Sequence, residues 1–167
     1  MKSLLIKGTI FLIIIFSISG CYSFKGIAIP AEITTYYIEN FNNLALSAPG
    51  DVNIRYTESL RAKIRNESRL KYDEQNPDIT FSGDVSGYSI TDQAPQAGNT
   101  SVLTKLEIAI SVKYVNNLDE SKNWTKTFSF YQTFGNEENL ISIQDRLITE
   151  IFKQLNENVF NEAFAGW

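Results

Sequence analysis

Hydrophobic and polar positions along this chain change period several times, and each change predicts an element. Residues 33–41 are dense in β-branched and aromatic side chains, with Ile33, Thr34, Thr35, Tyr36, Tyr37 and Ile38 in sequence, and predict a first strand. Asn42-Asn43 and Ala48-Pro49-Gly50 interrupt it, and Asp51 stands where it could cap a helix. Over 52–66, Ile54, Leu60 and Ile64 recur near helical spacing with Tyr56 and Thr57 beside them. Arg55, Arg61, Lys63 and Arg65 take the other faces, so an amphipathic helix covering a sheet is predicted, its bases crowding the C-terminal turn.

The period then shortens to two. Residues 78–91 place Ile79, Phe81, Gly83 and Val85 on one face, and Gly83 and Gly87 predict a bulge or a close neighbour. Residues 92–99 read as a loop. The clearest alternation follows: Leu106, Ile108, Ile110, Val112 and Tyr114 face one way, Lys105, Glu107, Ser111 and Lys113 the other. After the polar stretch 116–123, Trp124, Phe128, Phe130 and Phe134 share one parity, predicting a fourth strand with an aromatic inner face. A stripe from Leu140 through Ile143, Leu147, Ile148, Ile151, Phe152, Leu155 and Val159 to Phe160 restores helical spacing, with Asn136, Glu137 and Glu138 as its predicted start. The order β-α-β-β-β-α predicts an α+β fold. Its sheet is four-stranded and mostly antiparallel, with both helices on one face and Phe130 and Ile151 buried between the layers.

Ahead of these elements lies a different pattern. Lys2 and Lys7, the apolar run 10–16 and the small residues Ser17, Ser19 and Gly20 have the layout of a secretory signal. The apolar stretch 4–18, the candidate for an uncleaved membrane helix, is short of the roughly 20 residues that span a bilayer. Ile18-Ser19-Gly20-Cys21 looks like a bacterial lipobox, which divides the chain into a lipoprotein signal peptide at 1–20, a lipidated tether at 21–30 and one domain at 31–167. Cys21 is then the lipidation site and the membrane anchor. An uncleaved membrane helix with a chance thiol is the alternative.

Composition narrows the chemistry. Cys21 is the sole cysteine, so no internal disulfide forms, and the chain has no histidine. Their absence removes Ser-His-Asp and Cys-His nucleophile systems and the usual zinc sites. No cofactor or metal site is expected, and the acids read as solvated surface. Of 15 basic residues two leave with the signal, so 13 face 19 acids, a balance of −6 that does not suit nucleic acid.

The segment Asp78-Ile79-Thr80-Phe81-Ser82-Gly83-Asp84-Val85-Ser86-Gly87-Tyr88-Ser89-Ile90, the strand with Phe128-Ser129-Phe130, the tail Val159-Phe160-Asn161-Glu162-Ala163-Phe164-Ala165-Gly166-Trp167 and the lipobox together resemble the LptE family, the lipopolysaccharide-assembly lipoproteins, in its divergent branch. The resemblance spans essentially all of the mature chain. It implies a non-catalytic outer-membrane lipoprotein, facing the periplasm and seated within the lumen of the large β-barrel LptD. There it would plug the barrel, help assemble it and take part in lipopolysaccharide delivery to the cell surface. The loop between the second and third strands carries Asp92 and no base, so the lipopolysaccharide contacts known near strand ends in the family are not carried onto it. A stand-alone periplasm-facing ligand-binding or inhibitor lipoprotein is the alternative, and a lipid-anchored hydrolase a weaker one.

Antiparallel topology adds an expectation about charge. The start of the second strand, the end of the third and the start of the fourth share an end, gathering Arg69, Lys71, Lys113, Lys122 and Lys126 with Arg61, Lys63 and Arg65 of the helix. Glu67, Asp73, Glu74, Asp78, Asp119 and Glu120 fall there too, so screened pairs are the bland outcome. Lys113 and Lys126 are the predicted contacts for lipopolysaccharide phosphates or barrel carboxylates because they sit on neighbouring strands, although strand parity allows them opposite faces.

Overall fold

The computed structural model describes residues 29–93, 103–135 and 137–165. Cys21, the expected signal peptide, most of the expected tether, residues 94–102, Asn136 and the final Gly166-Trp167 lie outside the described residues.

The chain forms β1 (Thr35–Ile38), β2 (Asn42–Asn43), α1 (Val52–Glu67), β3 (Lys71–Tyr72), β4 (Ile79–Gln93), β5 (Leu103–Asn116), β6 (Trp124–Gly135) and α2 (Leu140–Phe164). A short 3-10 turn, Glu120–Lys122, lies between β5 and β6. The sheet order is β3-β1-β4-β5-β6, with β2 paired to β4. The α+β class holds, but the sheet has six strands and is mixed, not four and mostly antiparallel. β1 runs parallel to both β3 and β4, and β2 runs parallel to β4. A helix between two strands carries the chain back to the end where it started, so β4 must enter alongside β1 in the same direction. The extra strands are two residues each and leave no period to read.

The meander is as predicted. β4 pairs antiparallel with β5, and β5 with β6 from Leu103↔Gly135 to Tyr114↔Trp124 without a slip. Leu106, Ile108, Ile110, Val112 and Tyr114 are all buried. The register of β4 shifts between Val85 and Gly87, a bulge where the glycines announced one. Gly83 lies at φ +154°, and a Cβ there would stand 2.0 Å from the Ser111 carbonyl oxygen and 2.9 Å from the Phe41 ring.

Both helices cover one face. In α1 the buried stripe is Val52, Tyr56, Leu60 and Ile64 with Thr57, at strict four-residue spacing, while Ile54 points outward. Asp51 makes no side-chain cap. Helix α2 starts later than predicted, with the Asn139 side chain accepting from the Ile141 amide at 3.0 Å. Its stripe is buried from Leu147 onward and continues to Ala163 and Phe164. Aromatic rings tie the layers: Tyr56 meets Phe41 at 5.0 Å and Phe152 at 5.2 Å, and Phe164 meets Phe81 and Phe160 at 6.3 and 4.8 Å. Ile151 is buried as expected, but Phe130 is only half-buried. It lies on the inner parity of an edge strand, and α2 covers one of its sides.

Polar bonds clamp helix to helix. Arg55 pairs with Asp145 at 2.9 Å, the Asn156 amide donates to Ser59 at 2.7 Å, and Lys63 of α1 pairs with Glu157 of α2 and with Glu67. Burial of Lys63 opposes its charge, yet hydrogen bonds to Glu157 and Glu67 outweigh it and raise the ammonium pKa. The same bond from Lys63 holds the Glu157 carboxyl below its ordinary range.

Candidate functional site: the open face of the sheet

With both helices on one side, the other side of the sheet carries no layer among the described residues, and strand register fixes what it displays. Ser82, Lys113 and Thr125 lie side by side across β4, β5 and β6, as do Asp84, Ser111 and Thr127. Every second residue of β6 adds to this face: Thr125, Thr127, Ser129, Tyr131 and Thr133, all exposed. Its charges along β5 are Lys105 and Glu107, which pair at 2.6 Å, and Lys113. Such a surface is wide, rich in hydroxyls and balanced in charge, with Lys105 and Lys113 against Glu107 and Asp84.

At its β1 side is a depression of about 340 Å³ lined by Glu39, Asn40, Asn42, Ser82, Gly83, Asp84, Ser111, Lys113 and Thr125. The missing side chain of Gly83 lets the β4 and β5 backbones close up beneath it. Asp84 accepts from the Asn42 amide at 2.9 Å. Lys113 is exposed and has no hydrogen bond or ion pair among the described residues, so its ammonium is open to an incoming group. Glu39 and Asn40, which follow β1, and Asn42 of β2 had no sequence signal, because parallel pairing brings Asn42 to Asp84 from 42 positions away.

Lys113 and Lys126 do not converge. Lys126 is opposite Val112, which faces the helices, and Lys113 is opposite Thr125 on the open face. Lys126 instead pairs with Glu162 of α2 at 2.6 Å, both groups about half exposed. Other bases of the predicted cluster also have structural partners. Arg61 donates to the Ile38 carbonyl at 2.8 Å and to Asn40 at 3.0 Å, and Arg69 donates to the carbonyls of Ile29, Pro30 and Ile33. A guanidinium fork that meets two or three carbonyls is a brace, and little of its charge is left for a ligand.

Asp78, at the same end, accepts from the Thr34 amide at 2.7 Å, the Thr34 hydroxyl at 2.8 Å and the Thr35 amide at 2.9 Å. The Thr34 backbone bond is the largest cause holding its carboxyl below the ordinary range, and it acts against partial desolvation. No cluster of three metal-ligating side chains occurs among the described residues, and no described helix is long and apolar enough to cross a membrane.

The lipopolysaccharide-assembly family model, LptE, matches residues 33–163. Among solved structures the chain is similar to lipoprotein B from Nitrosomonas europaea, with TM-score 0.55 at 10% identity, covering 84% of this chain and 86% of that one. A protein from Xanthomonas campestris gives TM-score 0.50 at 9% identity over 79% and 84%. Rare lipoprotein B from Shewanella oneidensis gives 0.47 at 10% identity over 75% and 91%. At these identities the likeness is one of fold. No match was found among curated protein sequences.

Proposed function

Because the chain belongs to the LptE family of lipopolysaccharide-assembly lipoproteins, we propose that it is held on the outer membrane through lipidated Cys21, faces the periplasm, and plugs the lumen of an LptD-type β-barrel, supporting that barrel's assembly and the passage of lipopolysaccharide. A role in lipopolysaccharide assembly comes with the family. The placement inside a barrel rests on the open sheet face. Large outer-membrane barrels have polar interiors, and a hydroxyl-rich face such as Thr125, Thr127, Ser129 and Thr133 exchanges water for wall hydrogen bonds without burying unpaired charge.

Within this reading Lys113 is the contact of the open face, the one base of a depression that also holds Glu39 and Asp84, and a point charge for a phosphate or a wall carboxylate. Lys126 acts through Glu162 in holding α2 to β6. Catalysis is not part of the proposal. The test is co-purification of the lipidated chain from envelopes: an outer-membrane barrel should accompany it, and its absence rejects the plug in favour of a stand-alone lipoprotein. Lys113→Glu should reduce recovery of barrel or of bound lipopolysaccharide several-fold at low salt with melting unchanged, while Lys126→Gln should leave both recoveries near wild type. Equal recovery from Lys113→Glu and wild type at low and moderate salt would remove Lys113 from the contact.

A further inference from the structure

Five of the eight large apolar side chains most exposed among the described residues, Leu44, Leu46, Ile54, Ile90 and Ile141, fall at one end of the domain. Strand direction puts them there. β2 runs parallel to β4, and the Leu44 amide donates to the Val85 carbonyl at 3.0 Å, so Leu44 and Leu46 continue past Val85 toward the C-terminal end of β4, where Ile90 lies. Both helices begin at this end, with Ile54 in the first turn of α1 and Ile141 in the first turn of α2. The Arg55–Asp145 pair and the bond from Gln144 to the Tyr88 hydroxyl at 2.6 Å join these starts to each other and to β4. Leu46 is fully exposed and Ile141 86% exposed. Single exposed apolar residues are ordinary, but a cluster of leucine and isoleucine marks an interaction surface.

The charges around it select the partner. Asp51, Asp92, Glu137, Glu138 and Asp145 lie at this end against Arg55 and Arg146, each of which is already in an ion pair, so the side chains carry a balance of −3. The two helix N-termini offset about one unit, at roughly +0.5 each. An acidic rim is repelled by an anionic lipid surface. It fits a protein surface with an apolar floor and a basic rim.

We infer that this end, remote from the tether that Arg69 braces at Ile29 and Pro30, is the surface by which the chain seats against a socket on its barrel, apolar at the centre and edged with lysine or arginine. The inference rests on the plug reading and adds which end makes the apolar contact and with what chemistry.

The full lipidated chain carries a photo-cross-linking residue at position 46, or in a separate strain at Thr127 on the open face. Cross-links from 46 to the barrel, mapping beside lysine or arginine, are expected. Cross-links from 46 to phospholipid or to a second copy, or none while 127 labels the barrel, overturn the inference and leave the plug standing. If no barrel co-purifies and neither position labels one, the plug reading falls and takes this inference with it. Independently, Leu46→Glu with Ile141→Glu should cut barrel recovery at least tenfold, while Leu46→Met with Ile141→Met keeps it. Unchanged melting is required of both, since neither side chain is in the core. Full recovery with the glutamate pair overturns the inference.

Discussion

Tyr56 is fully buried among Phe41 and Phe152, and its hydroxyl has no hydrogen-bond partner among the described residues. Burial pushes the phenol pKa far up, so the group stays neutral. A buried hydroxyl without a partner costs on the order of 1–3 kcal/mol, and the ring supplies the packing. Tyr56→Phe should therefore stabilise the domain by about 1 kcal/mol in urea unfolding, and a loss of stability would reveal a partner for the oxygen. Asp78 is the opposite case, a partly exposed carboxylate whose bonds to Thr34 and Thr35 tie the start of β4 to the start of β1. Its folded pKa is depressed, so its contribution is present above the unfolded value near 4 and is lost as pH falls through the lower folded value. Asp78→Asn should cost roughly 1–2 kcal/mol at pH 7, toward the low end for a water-accessible charged acceptor. The difference from wild type should shrink below about pH 4, and melting followed from pH 7 to 3 reads it.

Among the elements, β5 and α2 were legible from the sequence because burial on one face leaves a period: two in β5, three and four in α2. β2 and β3 were not, since two residues hold no period, and with them went the mixed character of the sheet. Ile54 was misplaced because two apolar residues, Val52 and Ile54, compete near the helix start and only packing against Phe152 through Tyr56 decides the face. Parity correctly put Phe130 on the inner face, but an edge position decides how much of it is covered. Phe152→Ala should thus cost about 3–5 kcal/mol and Phe130→Ala about half as much, a ranking that chemical denaturation of the two variants checks. Lys113 and Lys126 were legible as neighbours, and strand parity already pointed to the opposite faces that the register gives them. The polar depression, assembled from residues 39–42 with β4, β5 and β6, could not be seen in any one stretch.

At the scale of the molecule, the proposed function needs the domain, its attachment and its partner together. The chain belongs to the LptE family, and the lipobox adds a single proposed point of attachment at Cys21. Cys21→Ala should abolish incorporation of a fatty-acid analogue and leave an unprocessed precursor, and equal labelling of wild type and variant would remove the anchor.

The brace that Arg69 makes to the carbonyls of Ile29, Pro30 and Ile33 has a mechanical consequence. Tension on a tethered domain enters where those residues join β1, which lies between β3 and β4 and parallel to both. A pull along the axis of β1 loads its flanking hydrogen bonds in shear, all at once, whereas a pull on a hairpin edge would open them singly like a zip. The Asp78 bonds to Thr34 and Thr35 sit at the point of entry and share that load. In the proposed tethered plug, a pull from the membrane would therefore be borne by the part of the sheet best arranged to resist it.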